Sequence, residues 1–318
     1  LDGAATVSLG GIWPDGHAYE VRCGRPADFA SIRIESDDTR GEHAAVVIGS
    51  TVEAPPTERK MPADTAFLAG LAAASTAHVV GPVTVEPLWV RLDNGHYHAA
   101  LARRHGGTLA ELRSASGRSW LQGPSEVYTD WGLFAKGQHV ATEGETSPRL
   151  QVERDGAATR VTFRGTLHTP SWNGVQQAAP AAPAVAYRLT YRIDDSPVLH
   201  VEMGITPLTE RKGVDAFVAY RLPFGGVNAW HADGGAGGKT GDKLWQRVFQ
   251  PAQADGVTMR LEGEGGALVL RSVRGAVGPF LLDGGPGAMQ WFFTLLQGGK
   301  EALPAGVERV GAFEVEIT

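Results

Sequence analysis

The chain has 318 residues, 29 Lys plus Arg against 35 Asp plus Glu, a formal charge of −6, 42 Gly, 19 Pro and 42% hydrophobic residues. That apolar fraction supports a packed core, and at roughly 100–200 residues per domain the length suggests about two domains. The negative balance excludes a general field that gathers phosphates, so nucleic acid or any acidic partner would need a local basic patch.

The chain opens Leu1-Asp2-Gly3 with no initiator Met and no basic, then apolar, leader. That opening fits a mature secreted form, a trimmed chain or a piece of something longer. Short runs alternating apolar with polar, separated by Gly and Pro, are the mark of half-buried strands. The first are Tyr19-Glu20-Val21-Arg22-Cys23, Ser31-Ile32-Arg33-Ile34-Glu35 and Ala44–Ile48. Cys23 is the one cysteine, which excludes an intramolecular disulfide framework and a cysteine-rich zinc site; a small buried hydrophobe is its ordinary role. Pro62–Ser75, with Pro near its start and Leu68 and Leu71 on one side, is the one helix candidate. No stretch approaches the ~18 uninterrupted apolar residues of a membrane-spanning helix. Pro55, Pro56, Pro62, Pro82 and Pro87 interrupt the strand pattern, and the chain is divided near residue 85. Residues 1–85 are expected to form a small β-sandwich domain with a helical connector, and residues 86–318 a much larger β domain. Further strands are expected at Thr159–Thr166, Ala186–Ile193, Val198–Ile205, Val257–Leu261, Ala267–Val273 and Ala312–Ile317. Asn94-Gly95, Asp155-Gly156 and Asp255-Gly256 are tight-turn signals. Gln176–Pro183 and Asp233–Thr240 are low in complexity and read as mobile loops too long for hairpin turns. No repeat of fixed period is visible. The chain reads as all-β.

The larger segment opens Leu92-Asp93-Asn94-Gly95-His96-Tyr97-His98-Ala99-Ala100-Leu101, followed by Gly106-Gly107-Thr108-Leu109-Ala110-Glu111-Leu112. Val161–Gly165, Tyr187–Ile193 with Ser196–Glu202, and Asp215–Pro223 follow in order. This succession resembles the galactose-mutarotase-like β-supersandwich domain of aldose epimerases, glycoside hydrolases and polysaccharide lyases, over residues 88–318. The resemblance implies a large curved antiparallel sheet whose concave face commonly holds a sugar. The His-Pro-Tyr-Phe-Asn element of the true aldose epimerases has no counterpart, so the resemblance implies the fold and not mutarotase activity.

The hairpin 186–205 carries the most local information. If Arg192 lies opposite His200, then Tyr191 faces Val201, Thr190 faces Glu202 and Leu189 faces Met203, so like meets like at every rung. One face then carries Arg188, Thr190, Arg192, His200 and Glu202. That set could bind a carboxylate or sugar hydroxyls and supply an acid–base pair through His200 and Glu202. The alternative is a solvated outer face laced by cross-strand ion pairs. Trp rings stack on the apolar faces of sugars while neighbouring polar groups take the hydroxyls. Tyr128-Thr129-Asp130-Trp131, Ser171-Trp172-Asn173-Gly174 and Asn228-Ala229-Trp230-His231 each set Trp among such groups. Tyr128, Asp130, Trp131, Trp172, Trp230 and His231 are therefore candidate sugar-binding residues, whereas Trp120 and Trp291 read as core. His96 and His98, two apart on a strand, read as surface groups rather than metal ligands, and His105 as part of a turn.

Gly234–Thr240 lacks the Gly-x-x-x-x-Gly-Lys-Thr frame of a phosphate loop, no Gly-x-Ser-x-Gly elbow is present, and no Asp-x-Asp-x-Asp-Gly frame marks a calcium loop. Many carboxylates could serve a glycoside hydrolase, none paired by spacing alone. A lyase would use Arg188 or Arg192 to neutralise a uronate carboxylate and His200, Tyr187 or Tyr128 as base. The expectation is a carbohydrate-active protein, hydrolase or lyase, with Arg188, Arg192, His200 and Glu202 at its centre and an oligo- or polysaccharide as partner. No cofactor is expected, and the sugar-handling reading fits the periplasm or the exterior of a bacterial cell. The alternative is a binding or assembly module using the same face.

Overall fold

A computed structural model describes residues 78–318, apart from 87–88, 132–138, 143–144, 146–147, 168–184, 211–215, 244–245, 252–254, 278 and 298–303. The strands expected at 19–23, 31–35 and 44–48, Cys23, the helix expected at 62–75 and the segment 176–183 lie outside these residues. The chain divides into two compact units between Ala73 and Ala74, and every described residue belongs to the second.

The alternating runs form strands throughout, and among the described residues helical backbone is confined to 3-10 turns, at Arg103–His105 and at Thr142. None of these residues forms a helix long and apolar enough to cross a membrane. Five strands, β1 (His78–Val80), β2 (Val83–Val85), β3 (Trp89–Asp93), β4 (Tyr97–Ala102) and β5 (Thr108–Ser114), pair in chain order, in a sheet that runs across residue 85. Next come β6 (Glu126–Trp131), β7 (His139–Ala141), β8 (Arg149–Asp155), β9 (Ala158–Thr166), β10 (Val185–Ile193) and β11 (Val198–Pro207). The chain continues through β12 (Ala216–Gly225), β13 (Val227–Ala232), β14 (Gly237–Lys239), β15 (Arg247–Phe249), β16 (Thr258–Gly263) and β17 (Gly266–Arg274). It ends with β18 (Phe280–Gly285), β19 (Ala288–Gln297) and β20 (Arg309–Ile317). These build a nine-stranded sheet, in the order β14-β13-β16-β17-β20-β11-β10-β9-β8, and a six-stranded sheet, in the order β15-β18-β19-β12-β6-β7. All pairings are antiparallel.

Period-two alternation decides which side of the nine-stranded sheet is dry. Tyr187, Leu189, Tyr191, Val201, Met203, Phe313 and Val315 share one face and are buried. From the six-stranded sheet, Tyr220, Trp291 and Phe293 pack onto Phe313, with ring centroids 5.3, 5.1 and 5.0 Å away. Trp120 and Trp291 are fully buried, as the sequence suggested. Within this apolar layer the Tyr220 hydroxyl lies 2.8 Å from that of Tyr191 and 2.7 Å from that of Ser125, and accepts a hydrogen bond from the Leu109 amide. Burial raises the pKa of both tyrosines.

Two local features set the position of the β10–β11 hairpin. Asn94, in the β3–β4 turn, donates from Nδ2 to the carbonyls of Asp194 and Ser196, each at 2.8 Å, and so holds the hairpin tip. Gly107 has φ +79°, and a Cβ there would stand 2.1 Å from the Phe163 ring, so only glycine lets this ring of β9 lie against the turn before β5. The segment 233–240 is not the long loop expected. Gly237–Lys239 pairs with β13, the turn is closed by the Ala232 amide on the Ala236 carbonyl, and Asp233 accepts the Thr258 amide at 2.8 Å.

Candidate functional site

The hairpin register is the one read from the sequence: Arg192↔His200, Tyr191↔Val201, Thr190↔Glu202 and Leu189↔Met203 are paired. Since Tyr191 and Leu189 enter the core, Arg188, Thr190, Arg192, His200 and Glu202 lie together on the opposite, half-exposed face. Strand β20 extends this face with Ala312, Glu314 and Glu316, β17 with Arg271, and β9 with Arg160, Thr162 and Arg164. The charges on it are largely matched. Glu202 accepts hydrogen bonds from Arg188 on one oxygen and from Arg274 on the other. Arg188 also donates from Nε to Glu308 Oε1 at 2.9 Å. Gly204, opposite Arg188, leaves room for that contact, because a Cβ there would stand 2.2 Å from the Glu308 oxygen. His200 has Glu314 Oε1 3.1 Å from Nδ1 and Asp194 Oδ2 3.9 Å from Nε2, and Arg192 Nη1 lies 3.0 Å from that same Asp194 oxygen.

This pairing governs the acid–base chemistry. Partial burial would raise the Glu202 pKa, but the hydrogen bonds from Arg188 and Arg274 and their positive charge outweigh it and hold the carboxyl below its ordinary 4.5. Burial likewise opposes, and the Ser196 hydroxyl and amide with Arg192 and His200 override, the change at Asp194, which also stays below its ordinary value. Glu202 is therefore ionised and doubly engaged near neutral pH, a poor proton donor and a weakened base. Tyr187, a candidate lyase base, enters the core instead: its hydroxyl donates to the Gly106 carbonyl at 2.9 Å, and burial, with Glu145 nearby, raises its pKa steeply.

Trp230 and His231 do not join the groups around the hairpin. Trp230 is 5% exposed and packs on Phe249 at 5.9 Å, because strand alternation sends it into the core and its neighbour His231 to the polar face. His231 pairs with Glu262 at 3.5 Å and lies four strands from β11, about 19 Å at the usual strand spacing. Positions 128 and 130 of β6 fall in register with Ala219 and Phe217, on the parity of Glu126 and Arg221, and position 131 on the other parity. Trp172 lies outside the described residues. His98 pairs with Asp93 at 3.0 Å and His96 is exposed beside the Asn94 turn. Among the described residues no three His, Cys, Asp or Glu side chains converge as a metal site. Sequence reasoning misses Asp194, Glu308, Glu314 and Arg274. The alternating Glu314 and Glu316 of the expected C-terminal strand are the available signal.

The side of the six-stranded sheet away from Phe313 carries a second cluster. There Phe280 stacks on Phe292 with centroids 4.5 Å apart and planes 12° apart, and the Arg247 guanidinium stands 4.1 Å over the Phe280 ring. Arg221, opposite Phe292, lies 3.1 Å from Glu126, with side chains only 14% and 16% exposed.

No family model and no curated sequence matches the chain. Among solved structures it is similar to a galactose mutarotase-like protein from Clostridium acetobutylicum, with TM-score 0.49 and 9% identity over 76% of this chain and 98% of that one. It is also similar to galactose 1-epimerase from Lactobacillus acidophilus NCFM, with TM-score 0.46 and 9% identity over 76% and 97% of the two chains. An alpha-mannosidase from Enterococcus faecalis V583 matches at TM-score 0.46 and 12% identity over 72% of this chain and 29% of that one. The roles of residues rest on this chain's own geometry.

Proposed function

We propose that the protein binds carbohydrate across the polar face of the nine-stranded sheet, with the β10–β11 hairpin near its centre, and that this face holds its ligand rather than cleaving it. The observation that carries the reading is the state of Glu202 and His200. Each is half-exposed and within reach of a ligand; Glu202 is already held by the Arg188 and Arg274 guanidiniums, and His200 has Glu314 3.1 Å from Nδ1. Such groups can accept or donate hydrogen bonds to sugar hydroxyls without leaving their partners. A hydrolase or lyase working through an acid–base pair here would need Glu202 to exchange a proton, and its two guanidinium partners hold it as the carboxylate. A ligand of this kind fits a periplasmic or extracellular protein.

The test is to incubate the intact chain with neutral and uronate-containing polysaccharides while following retention, new reducing ends and unsaturated-uronate absorbance in the same samples. Retention without product is expected. Product that disappears on His200→Ala or Glu202→Ala would overturn binding alone and restore the enzyme, a hydrolase if only reducing ends appear and a lyase if absorbance rises with them.

A further inference from the structure

We infer that the β8–β9–β10 end of this face is built for a polysaccharide whose sugars carry carboxylates, an inference that rests on the carbohydrate-binding reading and names its ligand class. Arg164 on β9 is directly opposite Arg149 on one side and Arg188 on the other, and Arg160 is directly opposite Arg192. Between these arginines runs the rung Thr162↔Thr190, its hydroxyls 3.3 Å apart, continued by Gln151 on β8 and Glu202 on β11. A strip of amide, hydroxyl and carboxylate groups thus crosses four strands. Arg149, Arg164 and Arg188 border it on one side, and Arg160 and Arg192 on the other.

Like charges directly opposite one another destabilise a sheet, yet three Arg–Arg rungs surround this single threonine pair. Ion pairs compensate some of them: Arg160 with Glu153 and Asp155, Arg192 with Asp194, and Arg188 with Glu202 and Glu308. Arg149 and Arg164 are exposed and make no ion pair or side-chain hydrogen bond among the described residues. A guanidinium is a fork matched to a carboxylate, so two unpaired forks beside a hydroxyl strip suit a ligand that carries carboxylates and hydroxyls together. They are the local basic patch that a chain of net charge −6 needs for an acidic partner. Among the described residues no aromatic side chain stands on this face of β8, β9 or β10, so nucleic-acid bases have no stacking platform there.

The test is calorimetric titration of the intact chain with an oligogalacturonate, a neutral galacto-oligosaccharide of equal length, polyglutamate and single-stranded DNA. The oligogalacturonate is expected to bind at least tenfold tighter than the neutral sugar. The double variant Arg149→Gln, Arg164→Gln should lose that preference, its affinity for the oligogalacturonate falling to its affinity for the neutral sugar, and unfold at a higher temperature because two like-charge rungs are gone. Equal affinity for the two sugars overturns this inference and leaves the carbohydrate-binding reading standing; binding of neither overturns both. Equally tight polyglutamate or DNA overturns it in favour of a surface that reads charge alone, and an unchanged preference in the double variant overturns it outright.

Discussion

The polar face of the nine-stranded sheet and the outer face of the six-stranded sheet handle charge in opposite ways. On the first, most of the guanidiniums and carboxylates are partly exposed, from Arg188 at 16% to Arg274 at 62%, and several have two partners, as Glu202 has in these two arginines. On the second, Arg221 and Glu126 are nearly buried beside the stacked Phe280 and Phe292. The sequence difference behind this is simple. Strand β10 alternates strictly, so one side is wet, whereas Trp291, Phe292 and Phe293 of β19 are apolar at consecutive positions, so both sides are dry. Exposed charges can trade partners with an arriving ligand at little cost. Nearly buried ones fix the structure, because a lone charge there would be poorly solvated.

Substitutions should grade accordingly. Phe292→Ala should lower unfolding stability most, by about 3–5 kcal/mol, in urea denaturation followed by tryptophan fluorescence; a loss near zero would mean that Phe292 is not part of a packed layer. Glu126→Gln should cost about 1–3 kcal/mol, because the charged partner 3.1 Å from the largely buried Arg221 becomes neutral. Glu202→Gln should cost about 1–2 kcal/mol at neutral pH, and its difference from the unaltered chain should shrink with acid. The folded pKa of Glu202 is depressed, so its stabilisation is fully present above the ordinary 4.5 and fades as pH falls through the lower folded value. A difference that persists well below that value would exclude the ion-pair explanation. Arg192→Ala, at an exposed pair, should change stability by about 0.5 kcal/mol or less.

The β10–β11 hairpin is legible in the sequence because its pairing is local: the hydrophobic pattern of two neighbouring runs admits one register, and all four expected rungs are found. The strands flanking it are legible as strands but not as neighbours. β20, which brings Glu314 to His200, begins more than 100 residues further along the chain, and no short-range pattern encodes that pairing. The grouping of Trp230 with His231 fails for a reason already in the sequence, since consecutive residues of a strand point to opposite faces. The composition of Asp233–Thr240 points to a loop, although three backbone-paired glycine and lysine positions suffice for a short strand. Arg160, Arg164 and Arg149 carry no signal as a group in the sequence, because only cross-strand register makes them neighbours.

The hydroxyl chain in the core has a consequence for kinetics. It joins the Leu109 amide and the Ser125, Tyr191 and Tyr220 hydroxyls, groups separated by up to 111 residues along the chain. None of these hydrogen bonds can form until strands from distant parts of the sequence have met, and closing such long loops costs entropy before any contact offsets it. Refolding from denaturant should accordingly be slow, on the timescale of milliseconds to seconds or longer for chains dominated by non-local pairing, with the tyrosine hydroxyls among the last groups to leave water.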